Sequence, residues 1–343
     1  MQLNKAHIAT ILANTILCQT VYSAEIDSVT TRGLQLGNSI ELINQIVNQR
    51  LHEGVRNANN RQVFDINLDD FEDIVLSETC DAETLYAEIR KALYQSYTAS
   101  WGLKGFDLDR QLRRLLAKHS YSLSLNDSIY RDMGYLEGFS LKLKELSDVV
   151  NINGHLVGLD KIGHFFAEGW EYFERTNDAG YEFDQALDWG RRQEAGIFGY
   201  HTTGIYSFAD LAANLNGWRF WNRVLHKQND PLKSVLANWL TSPYVSCDIQ
   251  YIESIKMRKI VRAWEINMRF DLSDYVDGAW DEANNCNSYA DPIIEAKVAA
   301  RIRIVAPGYT CPDRPAHCIE ARKKYREYAK FVLHPHCMRA GST

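Results

Sequence analysis

Proline is scarce in this chain, seven in 343 residues, so helices can run long without interruption. No apolar run reaches the ~20 residues that a membrane span needs. Basic residues do not predominate: 38 Lys and Arg stand against 44 Asp and Glu, a net charge of −6. That balance argues against a nucleic-acid partner, which calls for a basic surface. G-x-S-x-G, G-x-x-x-x-G-K-[ST], H-E-x-x-H and G-x-G-x-x-G are all missing. The usual signatures of serine hydrolases, nucleotide-binding loops, zinc proteases and dinucleotide enzymes are therefore absent.

What is present begins with an export signal over residues 1–24. Lys5 precedes the short apolar stretch "IATILANTILC", and "VYSA" offers cleavage after Ser23 or Ala24. Cys18 follows Thr-Ile-Leu, with a bulky residue where lipoprotein signals carry a small one, which argues against lipidation. Loss of this segment removes one charged residue, Lys5, and leaves 37 basic residues against 44 acidic ones. Six cysteines remain: Cys80, Cys247, Cys286, Cys311, Cys318 and Cys337. An even count in an exported chain reads as up to three disulfides, with 15 pairings open. The competing reading is zinc, because "CPDRPAHC" and "HPHC" set His317, His334 and His336 beside thiols; their spacing fits no zinc-finger pattern. The expected location is exported: periplasmic, outer-membrane-associated or secreted, with no membrane span in the mature chain.

Residues 25–343 read as a single, all-α or mainly α domain. It is a helical bundle with an irregular, disulfide-stapled C-terminal part from about residue 280. "NSIELINQIVNQRLHEGV" repeats Ile40, Ile43, Ile46, Val47 and Leu51 at helical spacing, and Asp81 precedes a second stripe of Leu85, Ile89 and Leu93. "FDLDRQLRRLLAKHS" and "LEGFSLKLKELSDVV" read the same way. The core, about 158–226, holds three helices: roughly 158–176, after a glycine turn in "NINGHLVG"; 181–195; and 206–226, with Ser207 placed to cap it or to sit in its first turn. "CDIQYIES" and "EINMRFDLS" read as short strands or irregular cover. "YVDGAWDEANNCNSYAD" resembles a calcium loop in composition but lacks the EF-hand spacing, and reads as a disulfide-tied solvated loop. The many tyrosines and tryptophans, 18 and 8, suit core packing first and a binding surface second.

Each core helix carries polar residues that its apolar neighbours do not require. Asp160, His164 and Glu168 fall four apart, so a helix projects them from one face. Glu194 closes the second helix. Ser207, Asp210 and Asn214 share a face of the third. If the helices pack as antiparallel neighbours, the sets converge. Asp160, His164, Glu168, Glu194 and Asp210 form a candidate ligand set for one divalent metal ion. Alternatively, a carboxylate orients His164 as a general base. Asp160, His164, Glu194 and Asp210 are the catalytic candidates; Lys161, Ser207, Asn214 and His201 are the candidates for binding or orienting a substrate.

The order "DKIGHFFAEG", "QEAG", "YSFADLAANLNG" resembles the core of the VanZ-like superfamily, including the YfiM-like envelope lipoproteins. Those families carry an Asp-Lys-x-x-His helix, a Glu downstream, and a Ser-x-x-Asp-x-x-x-Asn-x-x-Gly helix. The matching residues are Asp160, Lys161 and His164, then Glu194, then Ser207, Asp210, Asn214 and Gly217. The likeness covers about 60 residues and implies an envelope-linked helical module whose polar cluster is a family feature. VanZ-like proteins are typically polytopic, and tend to carry an Arg shortly before the Ser. Here that place holds His201, Thr202 and Thr203.

Three readings follow. One is an envelope hydrolase, metal-assisted or His164-based, acting on a lipid-linked or glycan substrate. Another is a non-catalytic envelope protein whose cluster is a hydrogen-bond network. The third is a secreted protein that binds a glycan or a partner through its aromatic surface.

Overall fold

The computed structural model describes residues 25–64, 80–94, 107–143, 146–196, 199–254 and 257–341. The expected export signal and Cys18 lie outside them. The fold is mainly α-helical, with three small antiparallel sheets among the described residues. Its centre is the Phe208–Leu225 helix, in which sixteen residues, from Phe208 to Val224, are buried. A helix buried on every side lies inside a protein rather than on its surface, and its polar residues must then find partners there. Ser207 caps it by accepting a bond from Asp210 N–H.

Against this helix lies the chain from Asp160 to Asn177: an α-turn over Asp160–Gly163, a π-helical turn over His164–Glu168, and α-helix over Gly169–Asn177. In the π turn Gly169 N–H reaches back to His164 O, an i→i+5 bond. The Phe166 carbonyl accepts the Trp221 indole N–H at 2.8 Å, an outside partner that helps a widened turn persist. The two helices touch through glycine: a Cβ on Gly217 would lie 1.9 Å from Phe165 O and 2.8 Å from Gly169 Cα. The Phe183–Glu194 helix packs on both. Around them Phe165, Phe166, Phe220, Trp221, Phe270 and Trp280 form a continuous aromatic core. Each such side chain contributes about 1.5–3 kcal/mol by leaving water.

The Ile40–Phe64 helix buries Ile43, Ile46, Val47, Leu51 and Val55 along one stripe and packs on Ala82–Leu93. Asp81 caps the latter by accepting from Glu83 and Thr84 N–H. One expectation of helix needs correction. "LEGFSLKLKELSDVV" is helical, among its described residues, over Phe139–Leu143; Val149–Ile152 is a strand, paired antiparallel with His155–Gly158 and with Ser120–Tyr121. The reason is the Asn153–Gly154 pair, both at positive φ (52° and 88°), the two-residue turn that suits a tight hairpin. The chain beyond Pro243, read as short strands or irregular cover, forms a hairpin of Val245–Ser254 with Met257–Ile266.

Three disulfides close the framework: Cys80–Cys247, Cys286–Cys311 and Cys318–Cys337. The C-terminal part is stapled, as its cysteine density implies. Cys286 also lies near His334 and His336, but its sulfur is bonded to Cys311 and offers no thiolate to zinc. Cys80–Cys247 spans 167 residues, so its loss frees the largest loop in the unfolded chain. Replacing both cysteines with serine is expected to lower the unfolding free energy by about 2–4 kcal/mol in urea. A change of less than about 0.5 kcal/mol would contradict that account.

Candidate functional site

Four segments deliver one buried polar cluster. The Val149–Gly158 hairpin leads straight into Asp160, whose N–H donates to Ser147 Oγ at 3.1 Å. The helical turn then brings Lys161, His164 and Glu168. The central helix brings Ser207, Asp210 and Asn214 from its N-terminal half. Strand Ile205–Ser207 pairs with Asn287–Tyr289, and this pairing draws Glu282 to Ser207.

Lys161 is wholly buried and is the hub. Its ammonium lies 2.8 Å from Asp160 Oδ2 and 2.6 Å from Glu282 Oε1, and ion-pairs with Asp210 Oδ1. Glu282 also accepts from Ser207 Oγ (3.2 Å) and Asn287 Nδ2 (2.7 Å). His164 sits between two carboxylates. Its Nε2 lies 3.1 Å from Asp210 Oδ2, off the N–H direction, so the contact is ionic rather than an aligned hydrogen bond. Its Nδ1 lies 3.2 Å from both Glu168 Oε1 and Asn214 Oδ1, and Asn214 Nδ2 donates to Glu168 Oε2 at 3.0 Å. Glu194 Oε1 accepts the Ser207 N–H at 2.9 Å.

Charge is unevenly distributed. Glu25, Asp160, Glu168, Glu194, Asp210 and Glu282 supply six buried carboxyl groups, against the two cationic side chains Lys161 and His164. Burial works against the Lys161 ammonium, but Asp160, Asp210 and Glu282 outweigh it and raise its pKa well above lysine's usual value. Burial also opposes the His164 imidazolium; Asp210 and Glu168 overcome that and push its pKa well up. For Asp210 burial is again the largest influence, yet His164 and Lys161 together hold its carboxyl below the usual range. The remainder go the other way. Burial, reinforced by the Asp210 charge, lifts Glu25 and Glu194 well up. Burial raises Asp160 in spite of Lys161, and pushes Glu282 up to about 7. Carboxyl groups that are costly to ionise in place must hold protons or meet further cations.

Three of the expected residues come together as a metal site would require. Asp160, His164 and Asp210 each bring a ligand-capable atom within 4.8 Å of the others. Asp160 Oδ1 is buried without a hydrogen-bond partner, as are both carboxyl oxygens of Glu25. Glu168 stands on the Nδ1 side of the imidazole, opposite Asp210, where it orients the ring. Glu194 is engaged with Ser207, and Lys161, Ser207 and Asn214 are all inside the cluster. His201 is not: it is exposed on the loop before Ile205.

Sequence reasoning missed Glu282 and Glu25. Glu282 lies in the acidic "YVDGAWDEANNCNSYAD" segment, which is not solvated: Asp281, Glu282, Asn284 and Asn285 are all buried. The composition was a signal, but only the pairing of Asn287–Tyr289 with Ile205–Ser207 carries Glu282 inward. For Glu25 the sequence offers no signal at all. No protein-family model, curated protein or solved structure matches this chain.

Proposed function

We propose that the chain is an exported cell-envelope protein, a helical bundle of the VanZ-like type, whose buried cluster holds one divalent metal ion. Asp160, His164 and Asp210 are the ligands. The observation that carries this reading is their convergence within 4.8 Å, beside unpartnered carboxyl oxygens and a carboxylate excess that a dication would offset. Two carboxylates and an imidazole suit zinc or manganese. Glu168 on the far nitrogen of His164 is the partner a ligating imidazole usually has: a carboxylate that fixes the tautomer, so that a metal displacing the Nε2 proton would meet that nitrogen. The three disulfides fit an oxidising, extracytoplasmic compartment. Among the described residues no helix is long and apolar enough to cross a membrane.

The role best supported is architectural. Side chains of Lys161, Asp160, His164, Asp210 and Glu282 are at most 2% exposed, which closes the centre to a bulky lipid-linked or glycan substrate. The ion would join the hairpin, the π turn and the central helix from within. A hydrolytic reading is favoured by one observation, the π turn that carries His164 and Glu168, since such turns concentrate at functional sites.

Elemental analysis of protein recovered after export tests the proposal. About one equivalent of zinc or manganese is expected, and stripping it with a chelator should lower the melting temperature until either ion is added back. His164→Ala and Asp160→Asn should remove both the metal and that response. Neither ion bound, with no shift on addition, would overturn the metal and leave a hydrogen-bond network. Metal-dependent cleavage of an envelope glycan or lipid-linked precursor, lost in His164→Ala, would overturn the architectural role.

A further inference from the structure

The short Val235–Trp239 helix holds its apolar residues outward. Val235 is 88% exposed, Leu236 65%, Trp239 80% and the following Leu240 66%. Every other described tryptophan is buried or half-buried. This is not a frayed turn. Ser234 caps it by accepting from Ala237 N–H. Asn238, its buried residue, accepts the Asp230 N–H at 2.7 Å and donates to Asp230 O at 3.0 Å. The same Asp230 accepts from the Arg219 guanidinium at 2.8 Å. The turn is thus pinned to the central helix with its apolar face in water, a solvation cost that folding alone does not require.

Beside it lies a cavity of about 250 Å³ lined by Arg219, Arg223, Lys233, Asp230, Asp274 and Tyr275. Three cations face two carboxylates there. Arg219 is paired with Asp230, and Arg223 with Asp274 at 2.7 Å. The Lys233 ammonium donates to Thr241 Oγ1 at 2.8 Å and pairs with no carboxylate among the described residues. Burial, then the charges of Arg223 and Arg219, lower its pKa, consistent with a positive local field. Lys233 stands two residues before Val235, so the cationic cavity and the apolar face adjoin.

We infer that this face docks on a bilayer containing anionic phospholipid. Leu236, Trp239 and Leu240 enter the interfacial region, and the cavity at Lys233 and Arg223 receives a headgroup phosphate. Apolar side chains including a tryptophan, next to unneutralised positive charge, are the combination that holds a peripheral protein at an anionic surface. The cavity's surplus of positive charge in a chain of net charge −6 argues for that occupant over a neutral apolar partner. The inference does not depend on the metal centre.

Co-sedimentation of the intact protein with vesicles tests it. Binding to phosphatidylcholine vesicles containing phosphatidylglycerol should be at least tenfold stronger than to phosphatidylcholine alone, and should weaken several-fold on raising salt. The double variant Leu236→Ser, Trp239→Ser should lose at least tenfold, with an unchanged melting curve because both side chains are exposed. Lys233→Gln should lose several-fold on anionic vesicles only. Absence of binding by the parent protein, or equal binding by the double variant, would overturn the inference. So would self-association abolished by the double variant without vesicle binding, since the face would then cover a second copy.

Discussion

Replacing Lys161 with methionine is expected to destabilise the protein by about 5 kcal/mol, enough to leave little folded material in cells. The substituted side chain is close in length and flexible, so packing alone does not set the size of the effect. What changes is the charge. Lys161 is wholly buried and its ammonium contacts Asp160, Asp210 and Glu282. Without it, and with no metal bound, His164 is the one cationic side chain left beside six carboxyl groups among the described residues. Removing one partner of a buried pair leaves the other uncompensated, which costs about 3–5 kcal/mol, and here three partners are stranded. Urea unfolding of Lys161→Met beside Lys161→Arg measures this. The arginine keeps the charge but not the compact donor, and should fall between the two. A loss under about 1 kcal/mol in the methionine variant would mean that protons already neutralise the carboxyl groups and that Lys161 is dispensable.

That charge pattern was partly legible in the sequence. Asp160 and His164, four apart, had to share a helical face, and Ser207, Asp210 and Asn214 likewise; the structure brings both sets together. Glu168 was harder to place. The spacing rule takes a uniform α-helix, but the turn over His164–Glu168 is π-helical, and Glu168 meets the imidazole on the side opposite Asp210. Glu282 could not be placed by periodicity, because it lies in an irregular segment positioned by a short strand pairing and by the Cys286–Cys311 bridge. The hairpin before Asp160 is a different case. Asn153–Gly154 is a strong hairpin signal, yet the leucine and valine spacing upstream favoured a helix, and the β-branched Val149–Val150 pair decided in favour of strand. Mainly helical structure was readable from long apolar stripes and few prolines. Contact order was not: Asn44 and Asn48 of the Ile40–Phe64 helix bond Leu272 and Phe270, more than two hundred residues away.

Gly217→Ala should cost about 4 kcal/mol or more, out of proportion to one methyl group. Core overpacking usually costs about 1–3 kcal/mol because side chains move aside. Here the added carbon would lie 1.9 Å from Phe165 O and 2.8 Å from Gly169 Cα. Both obstacles are backbone, and neither can rotate away. Relief requires the two helices to separate, and they carry the two halves of the cluster: His164 lies one residue before Phe165, and Asn214 and Asp210 lie one and two turns before Gly217. Parting them lengthens the His164 contacts to Asp210 and Asn214. The variant should therefore lose the proposed metal ion as well as stability, even in whatever fraction remains folded. Gly33→Ala is the control, since a Cβ there meets nothing within 4 Å and the change should lie within about 1 kcal/mol of the parent. Thermal melts and metal content of the two variants decide the matter. If Gly217→Ala matched Gly33→Ala in both, the helix crossing would not be what sets the geometry of the cluster. If it lost stability but still bound the proposed ion as the parent does, the contact would be a packing feature with no hold on the site.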